Sequence, residues 1–458
     1  MSHPRVAEFP FDSQRKRMSV INHFKDGTFR VSVKGGLDEV LSVCKGLSGT
    51  DIDKIQSAND TMARGALRVL AFAYKDIDKP LKPIEEVESG LTFVGMVGMI
   101  DPAREEAVSA VQECRSAGIR PVMITGDHKM TALAIAKQIG IYREGDLSIT
   151  GQELENMGDE EFASRIKNIS VYARVAPGQK VRIVATWQKM GEIVAMTGDG
   201  VNDAPALQQA DIGVAMGITG TEVAKDAADM ILTDDNFATI VSAVEEGRRI
   251  YDNLLKTILF LLSTNIGVVL LLFVTSVFDL GIALLPIHIL WINLVSESFP
   301  ALALSVDPAE DNIMMRKPKK LKGGFLSDGI SWTLLYQGVM IGAIPIIAFM
   351  IGVRQGGESL GQTMAFTSLI AAKLVHAGNL HSYKRSRFTF NPLHNKSLIF
   401  ASLASAIFTL AVLLVPPLRE AFRFSTMSST QWLIVAGLAL IPIPVVELVK
   451  LFLRRERL

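Results

Sequence analysis

The chain has 458 residues, 49% apolar and 21% charged, with 47 basic side chains balancing 47 acidic ones. A zero net charge argues against a nucleic-acid binder, which carries a basic excess. Two cysteines, Cys44 and Cys114, exclude a disulfide-stapled secreted scaffold and fit a reducing compartment. The length suggests about three domains. The mean hydropathy of +0.29 is unevenly spread: residues 1–250 read as soluble α/β protein and the remainder as membrane.

The opening MSHPRVAEFPFDSQRKR lacks the apolar core of a cleavable signal peptide. Further on, helical patterns at Glu105–Ala117, Thr131–Ile139 and Gln179–Met190 alternate with short apolar runs at Ile119–Ile124 and Glu192–Met196. Strand, polar loop and helix in alternation predict a parallel sheet with crossovers. Each run ends in Thr-Gly-Asp, at Thr125-Gly126-Asp127 and Thr197-Gly198-Asp199. Parallel sheets place their chemistry in such loops, at the carboxyl ends of strands.

Ile258–Phe278 supplies 21 residues without a formal charge, enough to cross a hydrocarbon core of about 30 Å. Apolar stretches follow at about 283–304, 330–353, 361–380, 397–415 and 432–450, so six transmembrane helices are expected. Basic residues gather after the second span (Arg316, Lys317, Lys319, Lys320, Lys322), after the fourth (Lys384, Arg385, Arg387, Lys396) and in the tail (Arg454, Arg455, Arg457). By the positive-inside rule these loops, the soluble half and both termini are expected in the cytoplasm.

The second Thr-Gly-Asp loop carries the most chemistry. Asp199 and Asp203, four apart in TGDGVNDAPAL, are hard carboxylates at a spacing that can converge on Mg²⁺, and the glycines let backbone N–H groups approach a phosphate. With the Thr125 loop and the Lys180 helix, this segment resembles the phosphate site of a haloacid-dehalogenase-like fold. That resemblance implies that Thr125 bonds the phosphoryl group, Lys180 balances its charge and Asp199 holds the metal. TGDGVNDAPAL, ADIGVAMGITGTEVAKDAADMILTDDNFATIVSAVEEGR and LWINLVSESFPALAL together resemble type II P-type cation-transporting ATPases of the sarcoplasmic-reticulum calcium-pump kind. The likeness runs over the whole chain and corresponds to the C-terminal half of such a pump. It implies part of a nucleotide-binding domain at 1–92, a haloacid-dehalogenase-like phosphorylation domain at 93–246, and six transmembrane helices at 247–458.

Site residues follow by motif. Phe11 resembles the aromatic on which adenine stacks, Lys16 and Lys34 (in VKGG) resemble lysines of the nucleotide pocket, and Arg68 resembles an arginine that reaches the triphosphate. Asp101, Arg104, Asp127, Arg174 and Asn202 match the family pattern too, with Arg174 on the nucleotide side, and the implied cofactors are ATP and Mg²⁺. Ser13 stands where calcium pumps have Arg, and Leu37 interrupts the usual VKGAPE. The DKTGT string, whose Asp is phosphorylated, is not in the sequence, and neither are the TGE loop and the first four spans. No nearby group substitutes for that nucleophile. The expected function is one half of an ATP-driven cation pump, Ca²⁺ favoured and inactive as a lone chain, either a fragment of a longer chain or the partner of a separately encoded half. The alternatives are an inactive nucleotide-binding product and a membrane-anchored regulatory module.

Charges at membrane depth are functional by default. Glu297 lies with Asn293 and Ser296 between Pro286 and Pro300, where local unwinding of the helix is expected to offer oxygen ligands. Asn265 resembles the family's ligand in the preceding span. Val268 and Lys373 stand where the two-ion pumps carry Glu, so Lys373 is expected to approach Glu297 as a built-in counter-cation. Glu447, near the end of its helix beside Lys450, reads as interfacial.

Overall fold

The computed structural model describes the chain except residues 1–2, 13–14, 25, 66, 80–82, 100–102, 311, 319–329, 381–394 and 456–458. Asp101, Ser13, the basic residues Lys319, Lys320, Lys322, Lys384, Arg385, Arg387 and Arg457, and the side chains of Arg68, Arg454 and Arg455 lie outside the described residues. Two units result, Met1–Val241 and Ser242–Leu458.

In the first unit, β1 (Arg5–Asp12), β2 (Arg17–His23), β3 (Phe29–Gly35), β4 (Arg68–Ile77) and β5 (Thr92–Met99) form an antiparallel sheet in sequential order. Alternation drives it: Val31 and Val33 of β3 are buried while Ser32 and Lys34 face out. Because β5 pairs with β4, the sheet runs on to Met99, past residue 92.

The rest of the unit is parallel. β6 (Met123–Ile124), β7 (Leu147–Thr150) and β8 (Ile169–Ala173) pair in the order β6-β8-β7, and β9 (Ala195–Gly198), β10 (Ile212–Met216) and β11 (Met230–Leu232) in the order β9-β10-β11. The apolar run from Ile119 contributes only its last two residues as strand, and the second run enters the sheet at Ala195 rather than Glu192. Ile124 of β6, Met196 of β9 and Val181 and Val184 of helix Pro177–Lys189 share one apolar cluster, so both Thr-Gly-Asp loops spring from a common core.

Helix Phe237–Val277 runs 41 residues, most of them in the second unit, and contains all but the last residue of the first predicted span. Among the described residues, five helices are long and apolar enough to cross a membrane: Phe237–Val277, Pro286–Ser305, Ile330–Gly356, Lys396–Leu414 and Ser429–Phe452. The predicted fourth span is helix Glu358–Asn379, long enough at 22 residues but too polar to be counted with them. Its polar side chains Gln362, Thr363, Thr367, Ser368, Lys373, His376 and Asn379 are all buried against protein, so this helix needs no lipid-compatible surface.

Around Glu297 the expected unwinding does not occur. Residues Pro286–Trp291 are α-helical, Ile292–Glu297 widen into a π-helical turn, and Ser298–Ser305 resume the α-helix. Pro300 has no N–H to give the preceding turn, and a widened turn accommodates that loss without exposing the backbone. Helices pack closely where glycines allow it: a Cβ on Gly267 would lie 3.0 Å from the Gly342 backbone nitrogen.

Midway along the 41-residue helix, Lys256 donates to Asp307 Oδ2 at 2.7 Å, Asn395 to Asp307 Oδ1 at 2.7 Å and Asn253 to the Asp307 carbonyl at 2.7 Å. Asp307 is fully buried, and these bonds tie three segments at one carboxylate.

Candidate functional site

The phosphate-type loops are built locally. Thr125 follows β6 and is held by backbone bonds, its N–H to Tyr172 O (2.9 Å) and its carbonyl from Val175 N–H (3.2 Å). Its hydroxyl donates to Asp127 Oδ2 and accepts from the Asp127 N–H, both at 3.1 Å. Arg174 N–H donates to the Asp127 carbonyl at 3.1 Å, and Arg174 itself is exposed with φ 51°.

In the second loop, Lys180 donates to Asp203 Oδ1 at 2.5 Å, while Asp203 Oδ2 accepts the N–H groups of Asp199 (3.3 Å) and Gly200 (3.2 Å). Asp203 is 7% exposed. A Cβ at Gly198 would sit 2.4 Å from Asp203 Cβ, so only glycine admits this fold-back. Asp203 therefore acts as a bracket with both oxygens engaged. Asp199 and Asn202 project from the loop into solvent, with no side-chain hydrogen bond on Asp199 among the described residues. No group of three or more metal-ligating side chains forms among the described residues. Mg²⁺ is commonly held by one or two carboxylates plus phosphate oxygens. Asp199 fits that role better than Asp203.

On the antiparallel sheet, Phe11 is 64% exposed at the end of β1, Lys34 faces out from β3, and Lys16 occupies the β1–β2 turn with φ 47°. Arg68 opens β4. Lys16 Nζ lies 3.0 Å from Glu39 Oε1, and this pairing holds the Glu39 carboxyl below the usual glutamate range. Sequence reasoning missed Glu39 and the buried Glu88. Both are single acids among other acids, with no spacing to mark them.

In the membrane unit, the Lys373 ammonium meets Glu297 Oε1, and Thr264 donates to the same oxygen at 3.3 Å. Ser296 is buried but bonds its own helix, at the Ile292 carbonyl (2.8 Å). Ser405 donates to the Val295 carbonyl at 2.9 Å. Asn265 and Asn293 lie exposed on the unit, so the four expected oxygen ligands are not gathered. Thr264, one residue before Asn265, takes the inner position. Glu447 lies 3.7 Å from Lys450, whose ammonium also donates to the Asn379 carbonyl at 2.9 Å.

Parallel strands that release Thr-Gly-Asp loops beside a lysine-bearing helix define a haloacid-dehalogenase-like phosphoryl-transfer fold, here continued into a bundle of apolar helices. Family descriptions agree: "P-type ATPase, cytoplasmic domain N" matches residues 1–106, "haloacid dehalogenase-like hydrolase" residues 181–244 and "Cation transporting ATPase, C-terminus" residues 281–452. The chain belongs to the cation-transporting P-type ATPase family. It is 44% identical to calcium-transporting ATPase 1 of Bacillus cereus over 98% of this chain and 53% of that protein. It is 41% identical to the calcium-transporting ATPase of Bacillus subtilis (95% and 50%), and 35% identical to the endoplasmic reticulum calcium ATPase srcA of Aspergillus fumigatus (99% and 52%). The chain spans about half the length of the curated relatives it matches.

Proposed function

We propose that this chain supplies the ATP-binding surface, the Mg²⁺-phosphate loop and part of the ion path of an ATP-driven cation pump. Ca²⁺ is the favoured cargo because the matched relatives cited above are named calcium transporters. The Lys180–Asp203 bracket is the observation that carries the reading, because it stiffens the loop from which Asp199 projects. Lys180 shares its charge with Asp203, Thr125 offers its hydroxyl to a phosphoryl oxygen, and Asn202 serves the same phosphate. When bound, Mg²⁺ neutralises phosphate charge. Phe11, Lys16, Lys34, Arg68 and Arg174 serve the nucleotide, and the soluble unit and both termini face the cytoplasm.

Glu297 is the anionic ligand of the ion path, and Lys373 replaces one transported cation. The other oxygen ligands, Asn265 and Asn293 among them, engage only when the remaining half of the pump is in place. The phosphorylated nucleophile comes from that half, whether it precedes this stretch in a longer chain or is a separate polypeptide.

Incubation of the purified chain with radiolabelled ATP and Mg²⁺ tests this division of labour. ATP binding without an acid-stable, hydroxylamine-sensitive phosphoenzyme is expected, with label appearing when a polypeptide bearing DKTGT is supplied. Label on an Asp of this chain overturns it.

A further inference from the structure

Glu88 follows the short helix Ile84–Val87 and is 3% exposed. Its carboxylate accepts three bonds from the β1–β2 region: Arg15 to Oε1 at 2.5 Å, Arg17 to Oε2 at 2.7 Å and Ser19 to Oε1 at 2.8 Å. Burial pushes the Glu88 carboxyl up, but the bonds from Arg15, Arg17 and Ser19 outweigh it and hold the group below the usual glutamate range.

Each arginine spans two anchors. Arg15 also donates to the Pro10 carbonyl at 3.1 Å, immediately before Phe11, and its backbone N–H donates to Asp12 Oδ1 at 2.9 Å. Arg17 also donates to the Glu39 carbonyl at 3.2 Å, and the Glu39 carboxylate in turn holds Lys16. Lys16, between the two arginines, keeps a left-handed backbone that a long side chain disfavours. Such a conformation persists when its surroundings fix it.

We propose that Glu88 is the positioning residue of the nucleotide site: through Arg15 and Arg17 it fixes both arms of the β1–β2 turn, and so sets where Phe11 and Lys16 stand toward an adenine nucleotide. The inference rests on the reading of Phe11 and Lys16 as nucleotide contacts. The two kinds of ion pair have different parts. Lys16 is 62% exposed in its pair with Glu39, a solvated contact that a phosphate readily replaces. The Glu88 carboxylate is 2% exposed in its pairs with Arg15 and Arg17, and these charge-assisted bonds persist while the nucleotide comes and goes.

The test is a calorimetric titration of ATP into the purified full chain in detergent micelles, comparing Glu88→Gln, Lys16→Ala, the double variant and Phe11→Ala. Glu88→Gln is expected to weaken ATP binding about tenfold, and less than about threefold in the Lys16→Ala background, because coupled residues are non-additive. Glu88→Asp, which keeps the charge, is expected to restore part of the affinity. If Glu88→Gln loses its cooperative thermal transition, Arg15→Gln removes one spoke and carries the same expectation at about threefold. Unchanged affinity, or the same loss in both backgrounds, overturns the positioning role. If Phe11→Ala and Lys16→Ala both bind ATP like the parent chain, the site itself is misplaced and the proposal falls with it.

Discussion

Lys373 and Glu297, 76 residues apart in the chain, meet as ammonium and carboxylate inside the membrane unit. Lys373 is fully buried and Glu297 is 4% exposed. Each charge alone costs several kcal/mol to remove from water, so the pair exists because each partner neutralises the other. Lys373→Met leaves Glu297 buried and uncompensated, and is expected to destabilise the chain by about 3–5 kcal/mol. Glu297→Gln combined with Lys373→Met should recover most of that loss. Denaturant unfolding in micelles measures both, and a single variant as stable as the parent refutes the pairing.

The same contact bears on stoichiometry. With Lys373 on Glu297, one cation is expected per phosphoenzyme in the assembled pump. Lys373→Glu exchanges the counter-cation for a ligand and should raise the count to two, read by isotope binding. An unchanged count removes the counter-cation role and leaves Glu297 as the ligand.

Asp199 and Asp203 differ by only four positions but should respond differently. Asp203→Ala deprives Lys180 and two backbone N–H groups of their acceptor, at a cost of about 2–4 kcal/mol. Asp199→Asn changes an exposed side chain and should shift stability by less than about 0.5 kcal/mol. It should nevertheless abolish Mg²⁺-dependent retention of phosphate, measured by calorimetry with inorganic phosphate. Equal stability losses in the two variants contradict the bracket.

Acid should unfasten the loop after β10. Asp235 accepts the N–H groups of Ile218 and Thr219 and the Thr219 hydroxyl, and the Ile218 bond leads the causes that lower its carboxyl from 3.8 to about 2. A lowered carboxyl stabilises the fold fully above its unfolded value, and that contribution is lost as pH falls through the folded value. Stability should therefore decline between about pH 4 and pH 2 through this group. Asp235→Asn should reduce the slope in that window, followed by thermal unfolding at stepped pH. An unaltered slope dismisses the role of Asp235.

Much of the fold is written in short-range pattern. The Thr-Gly-Asp loops are legible because a glycine and an acid after an apolar strand are local requirements, and Gly198 shows why: no other residue leaves room for Asp203. The hydropathic spans are legible because lipid contact demands apolar side chains along the exposed face. Helix Glu358–Asn379 is harder to read, since it is surrounded by protein and its polar residues are buried among other helices.

Within sites, the limit is rotation and distance. Thr264 and Asn265 are neighbours, and successive helical residues point about 100° apart. Only the set of the helix against Glu297 decides that Thr264 turns inward and Asn265 outward. Glu88 gathers Arg15 and Arg17 from 73 and 71 residues away, and no local spacing announces such a contact. The sequence by itself determined the Thr-Gly-Asp loops, the apolar spans and the family, because each depends on neighbouring residues and on composition. Tertiary structure alone decided which carboxylates became brackets, which remained available, and which cation each one meets, because those choices follow from packing between segments far apart in the chain.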